Sequence, residues 1–119
     1  MNYEIVCPKG VEVADDTHFK DSVLAPFSEE AMSFVDAFSI KLFESSAAKK
    51  YPELIALAFW MRRGKIEKIK SDFIRQYSHR LLLGRGTVFH IAPANVDTLF
   101  IYSWFLSLLV GNNNIVRLS

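Results

Sequence analysis

Asn95 lies a few residues after a β-type run and just before a long apolar run, a place from which a side-chain amide can donate to a ligand. An Asn there also serves simply to turn the loop. Arg117 closes the next β-type run, where its guanidinium either grips a phosphate through paired N–H groups or stands as an ordinary charge in water. Ser119 follows it and has many possible uses. Other reactive groups are less well placed. His90 sits inside the first run between Phe89 and Ile91 and reads as structural. His18 and His79 have no carboxylate or cysteine at ligand spacing, so no metal site is expected. Cys7, the single cysteine, cannot form an internal disulfide and reads as a small buried or partly exposed thiol. Gly84-Arg85-Gly86 has the composition of a phosphate loop but precedes the strand instead of joining strand to helix, so it reads as a turn.

The elements that position these residues form one continuous pattern over residues 84–119. Thr87, Val88, Phe89 and Ile91 suit a buried strand, and Pro93, which cannot donate to a ladder, should end it. Asp97 is a good N-cap for the apolar helix that follows, and Gly111 with Asn112 supplies a left-handed stop. A second strand is expected over 115–118. This is a βαβ opening, and in open α/β sheets ligands bind at the carboxyl ends of the strands.

The runs HIAPANVDTLFIYSW and SLLVGNNNIVRLS resemble the long-chain acyl-CoA reductases, the fatty-acid reductases of bacterial luminescence systems, within the aldehyde dehydrogenase superfamily. The residues that carry the resemblance are Ile91, Pro93, Asn95, Gly111, Asn112, Arg117 and Ser119. Ala94 stands where the superfamily commonly has Trp, and Arg117 where it usually has Lys. The resemblance implies that Asn95 donates its amide N–H to the oxygen of a tetrahedral thiohemiacetal. It also implies that Ala92, Pro93 and Ala94 line the nicotinamide end of the cofactor groove, and that Arg117 and Ser119 meet the adenosine ribose or its 2′-phosphate, which favours NADPH. The activity implied is reduction of an acyl-CoA, through a cysteine thioester, to a fatty aldehyde. The implied partners are acyl-protein synthetase and acyltransferase subunits and further copies of the full enzyme. Cys7 does not match the family's nucleophile, which lies far downstream of the cofactor motif.

Upstream, Tyr3, Ile5, Cys7, Val11 and Val13 alternate with polar residues and suggest a small hairpin. Ser28 is a plausible N-cap, with Phe27 and Met32 as a hydrophobic staple. A helix is expected over about 28–46, burying Ala31, Met32, Phe34, Val35, Phe38, Leu42 and Phe43. A second starts near Pro52 and is apolar most of the way round; Arg62 and Arg63 fit its negative end, with Gly64 as its stop. A third, over about 65–77, puts Ile66, Ile69, Phe73, Ile74 and Tyr77 inside.

With 119 residues, half of them apolar, and a net charge of +1, the chain has the composition of a globular protein and no electrostatic case for nucleic acid. Its longest apolar run, 99–110, is too short to cross a bilayer, which takes roughly 20 such residues. No secretory leader pattern is seen, and the expected compartment is the cytoplasm. The expected fold is α/β: a hairpin and helical segment over 1–83, then over 84–119 the first βαβ unit of a Rossmann-like cofactor-binding domain, incomplete, as in the N-terminal part of a larger enzyme. Two other readings stay open: a non-catalytic remnant or interaction module, and an aldehyde dehydrogenase acting on a smaller CoA ester or a free aldehyde.

Overall fold

The computed structural model describes residues 23–94 and 98–118. The expected hairpin, with Cys7 and His18, lies outside the described residues. Four helices and two strands follow in order: α1 Glu29–Glu44, α2 Pro52–Trp60, α3 Arg63–Gln76, β1 Thr87–Ile91, α4 Leu99–Leu109 and β2 Asn113–Arg117. A short 3₁₀ turn, Ala48–Lys50, precedes α2.

Helix α1 starts as its sequence dictates: Ser28 Oγ accepts from Ala31 N–H, and Glu29 and Glu30 face the positive end of the helix dipole. Phe27 and Met32 both enter the hydrophobic core, as a staple requires. Phe27 does so with φ of 55°, an uncommon conformation for a residue with a side chain. It is held there by its N–H donation to Leu109 O and by its ring, 5.1 Å from that of Phe73.

The core joins all four helices through Met32 and Val35 of α1, Leu57 of α2, Ile66 of α3, and Ile101, Phe105 and Leu109 of α4. Phe105 is its centre, fully buried and edge-on to Phe38 at 5.3 Å. Two expected inward residues are not buried. Phe34 is 47% exposed, its ring leaning on Trp104 and Phe105 from the rim, and Ile74 is 54% exposed while its neighbour Phe73 packs against the core. Ser39 takes a core place instead; its hydroxyl donates to Ala58 O at 2.7 Å, satisfying a carbonyl in the last turn of α2.

The junction of α2 and α3 corrects the sequence reading. Helix α2 ends at Trp60, Arg62 is the N-cap of α3, and Gly64 lies inside the first turn of α3 instead of stopping α2. Arg62 still serves the end of α2, donating from Nε to Phe59 O at 3.2 Å and stacking 4.8 Å over the Phe59 ring. An arginine cannot cap α3 by accepting its N–H groups. Asp36 of α1 does that, its Oδ1 accepting from Arg63 N–H at 3.0 Å.

β1 and β2 pair in parallel, Thr87 opposite Asn113 through Ile91 opposite Arg117, with α4 as the connection. β2 begins two residues before the expected start. Asn is a poor strand former, but Asn113 N–H donates to Gly86 O at 2.8 Å, so pairing with β1 overrides propensity. The structure is mixed α/β, with α4 packed on a two-stranded parallel sheet and the other helices gathered around α4 and one another among the described residues.

Candidate functional site

The carboxyl ends of β1 and β2 lie side by side. Ile91 is registered with Arg117, and the ladder runs one step further, Ala92 N–H donating to Arg117 O at 3.0 Å. The loop leaving β1 through Ala92, Pro93 and Ala94 therefore starts at the backbone of Arg117. Ala92 and Pro93 are half-buried and Ala94 is exposed. Arg117 is exposed and makes no ion pair among the described residues. Asn95 and Ser119 lie outside the described residues, so the structure brings together four of the six expected site residues: Ala92, Pro93, Ala94 and Arg117. Asp97 is also outside them; the N-cap position of α4 is Thr98, whose side chain makes no capping bond.

The opposite rim is built for structure. Gly111 takes φ of +96° and ends α4, and a Cβ there would lie 2.0 Å from Leu24 O. Gly84 approaches the same turn so closely that its Cβ would meet Gly111 O at 2.8 Å. Asn112 completes the joint, with Oδ1 accepting from Arg85 N–H and Nδ2 donating to Ser107 Oγ at 3.3 Å. Gly84-Arg85-Gly86 thus packs at the amino-terminal end of the sheet, away from the ligand edge, as a turn and not a phosphate loop.

His90 is the buried residue of β1, and both its ring nitrogens are engaged: Nδ1 with Ser103 Oγ of α4 at 3.0 Å and Nε2 with Asn114 Oδ1 of β2 at 2.8 Å. Asn114 Nδ2 donates to Asn112 O at 2.9 Å, which orients the amide. The structural role expected of His90 is what the geometry shows. Its partners, 13 and 24 residues away, carry no local sequence signal. His79 is exposed, and among the described residues no group of three or more His, Cys, Asp or Glu side chains is arranged to hold a metal ion. No helix among the described residues is long and apolar enough to cross a membrane.

Two parallel strands joined through a helix, with a basic side chain on their shared carboxyl rim, make a partial Rossmann-like unit of the kind on which α/β enzymes seat ligands. The family model described as Acyl-CoA reductase (LuxC) matches residues 47–119, more than half of the chain, and the chain belongs to that family. Comparison with curated proteins and with solved structures gave no match.

Proposed function

We propose that this chain supplies the oxyanion donor and part of the cofactor groove of an NADPH-dependent acyl-CoA reductase that forms a fatty aldehyde. The observation that carries the reading is the adjacency of the Ala92 loop and Arg117, joined by a backbone hydrogen bond at the carboxyl rim. On this reading a donor on that loop and a cation at that strand end border one groove. Asn95 directs its amide N–H at the oxygen that becomes negative when the cysteine thioester is attacked, a contribution typically worth about 3 kcal/mol of barrier. Arg117 holds the 2′-phosphate of the cofactor through its planar, permanently charged guanidinium, and its open position suits that chemistry. Ala92, Pro93 and Ala94 line the nicotinamide end with small side chains and backbone atoms, and Ser119 adds a hydroxyl near the ribose. The chemistry NADPH supplies when bound is a hydride for the acyl carbon. The thiolate comes from elsewhere in the enzyme, since Cys7 precedes the whole cofactor motif. Acyl-protein synthetase and acyltransferase subunits would deliver the acyl group, in the cytoplasm, to a homo-oligomeric reductase of a luminescence system.

In the complete enzyme Asn95→Ala should lower kcat about 100-fold or more with little change in cofactor affinity; wild-type turnover would remove Asn95 from the mechanism. Arg117→Ala should weaken NADPH more than NADH. Equal losses for the two coenzymes would count against a 2′-phosphate contact.

One observation favours a second reading. Phe89 and Ile91, on the sheet face away from α4, are 58% and 69% exposed, as they would be in a non-catalytic module covered by a partner chain. Turnover by the complete reading frame on acyl-CoA decides between the two.

A further inference from the structure

Leu81 is the most exposed large apolar side chain among the described residues, at 87%, and Leu83 follows two places on at 65%. Between them Leu82 is half-buried, lying with Pro26, Phe73 and Val110 along a shallow groove. The loop is thus pinned by its middle leucine and shows the outer two to solvent. Both its ends are anchored as well. Arg80 N–H donates to Tyr77 O at 2.9 Å, Gly84 packs on the backbone of Gly111, and Arg85 N–H donates to Asn112 Oδ1. Leu24, 42% exposed, borders the same joint, its N–H donating to Gly111 O at 3.1 Å. A single exposed leucine needs no explanation, but several around one anchored loop mark an interaction surface.

The charge beside them is of one sign. Residues 73–96 contain Arg75, Arg80 and Arg85 and no carboxylate. Arg75 is paired with Asp72, whereas Arg80 and Arg85, both exposed, make no ion pair among the described residues. A protein partner would need a recess shaped to each leucine. A lipid surface needs none, because its apolar interior is soft and its phosphates lie at the depth to which arginines extend their heads. Leu81 and Leu83 project and do not line a recess, which fits the second kind of occupant.

We infer that the loop over residues 80–85 is a docking surface for an anionic lipid bilayer. Leu81 and Leu83 enter the boundary between headgroups and acyl chains, and Arg80 and Arg85 pair with lipid phosphates. Binding of this kind is peripheral and reversible, and no helix among the described residues is long and apolar enough to cross the bilayer. The surface lies at the amino-terminal rim of the sheet, beside Gly84 and Gly111, and leaves the carboxyl rim with Arg117 clear. It does not depend on the roles proposed for Asn95 and Arg117.

The test is co-sedimentation of the protein from the complete reading frame with vesicles of phosphatidylcholine and phosphatidylglycerol, against vesicles of phosphatidylcholine alone. The expected result is binding to the mixed vesicles, weaker binding to the neutral ones, and release in about 1 M salt, where charges are screened beyond about 3 Å. Leu81→Ser/Leu83→Ser should weaken binding about tenfold or more, and Arg80→Glu/Arg85→Glu by a similar factor. All four side chains are exposed, so both variants should keep the circular dichroism of the wild type. Phe89→Ser/Ile91→Ser, on the open face of the sheet, is the control and should bind as the wild type does. Failure to bind the mixed vesicles overturns the inference, as does binding that survives in the leucine variant and is lost in the sheet variant. A wild-type dimer that dissociates in Leu81→Ser/Leu83→Ser, with no vesicle binding, also overturns it and assigns the loop to a second copy of the chain.

Discussion

Ser39 shows how much a single buried hydroxyl contributes. It sits 1% exposed on the packed face of α1, where the apolar pattern alone would place a hydrophobe, and it donates to Ala58 O at 2.7 Å. The carbonyl it satisfies belongs to the last turn of a helix, where no intrahelical N–H remains to serve it. Ser39→Ala should therefore destabilise the chain by roughly 1 kcal/mol, a hydrogen bond's net contribution, read as a lower midpoint in urea with an unchanged slope. An unchanged midpoint would mean that water reaches Ala58 O in its place. The site shows the same limit of local reading. Asn95 and Arg117 stand out in the sequence because loop and strand ends are recognisable from local pattern, whereas the His90 to Ser103 and Asn114 contacts join residues that nothing local pairs.

At the scale of the element, α3 begins with a cation, the wrong sign for the positive end of a helix dipole. Its neighbours correct this. Arg63 makes two parallel bonds to the Glu29 carboxylate, each 2.9 Å, and a third from Nε to Glu67 Oε1 at 2.8 Å. Hydrogen bonding to Arg63 is the main reason the Glu29 carboxyl titrates below its ordinary value of 4.5, with the opposite charges adding to it. The Arg63 guanidinium is pushed upward, mainly by the same bond. For Glu29 the folded value is the lower one, so its contribution is present above about pH 4.5 and fades as the pH falls through the depressed value. Arg63 stays charged throughout and adds no slope there. Glu29→Gln should flatten the acid side of a Tm-against-pH curve slightly and leave the slope above pH 6 unchanged, the effect being small because both groups face water. A curve superimposable on the wild type from neutral pH down through pH 4.5 would show that the pair contributes nothing measurable. The spacing of Ile66, Ile69 and Phe73 made the helix itself legible, but not its first residue, because the group that caps it, Asp36, belongs to α1.

For the molecule as a whole, the decisive feature is a parallel pair covered on one side. Helix α4 packs on both strands, yet Phe89 and Ile91 face outward, and parallel sheets are stable chiefly with both faces buried. The helical core around Phe105 is well made by comparison. The 119-residue chain alone is therefore expected to melt broadly, to bind a hydrophobic dye at the sheet, and to oxidise no NADPH in the presence of acyl-CoA. A sharp two-state melt would show that the helical core suffices to hold the sheet, and turnover would show that the thiolate need not come from elsewhere.

By itself, the sequence determined the α/β class, the helical stripes of α1 and α3, the apolar α4 between a strand and a Gly-Asn turn, and the family. Each of these depends on side chains within a few residues of one another. Only the tertiary structure decided where α3 begins, that β2 starts at Asn113, that Gly84 meets Gly111, and that Ala92 shares a hydrogen bond with Arg117. Those contacts join backbone groups and side chains many residues apart, and their partners exist only once the helices have packed and the two strands lie in register.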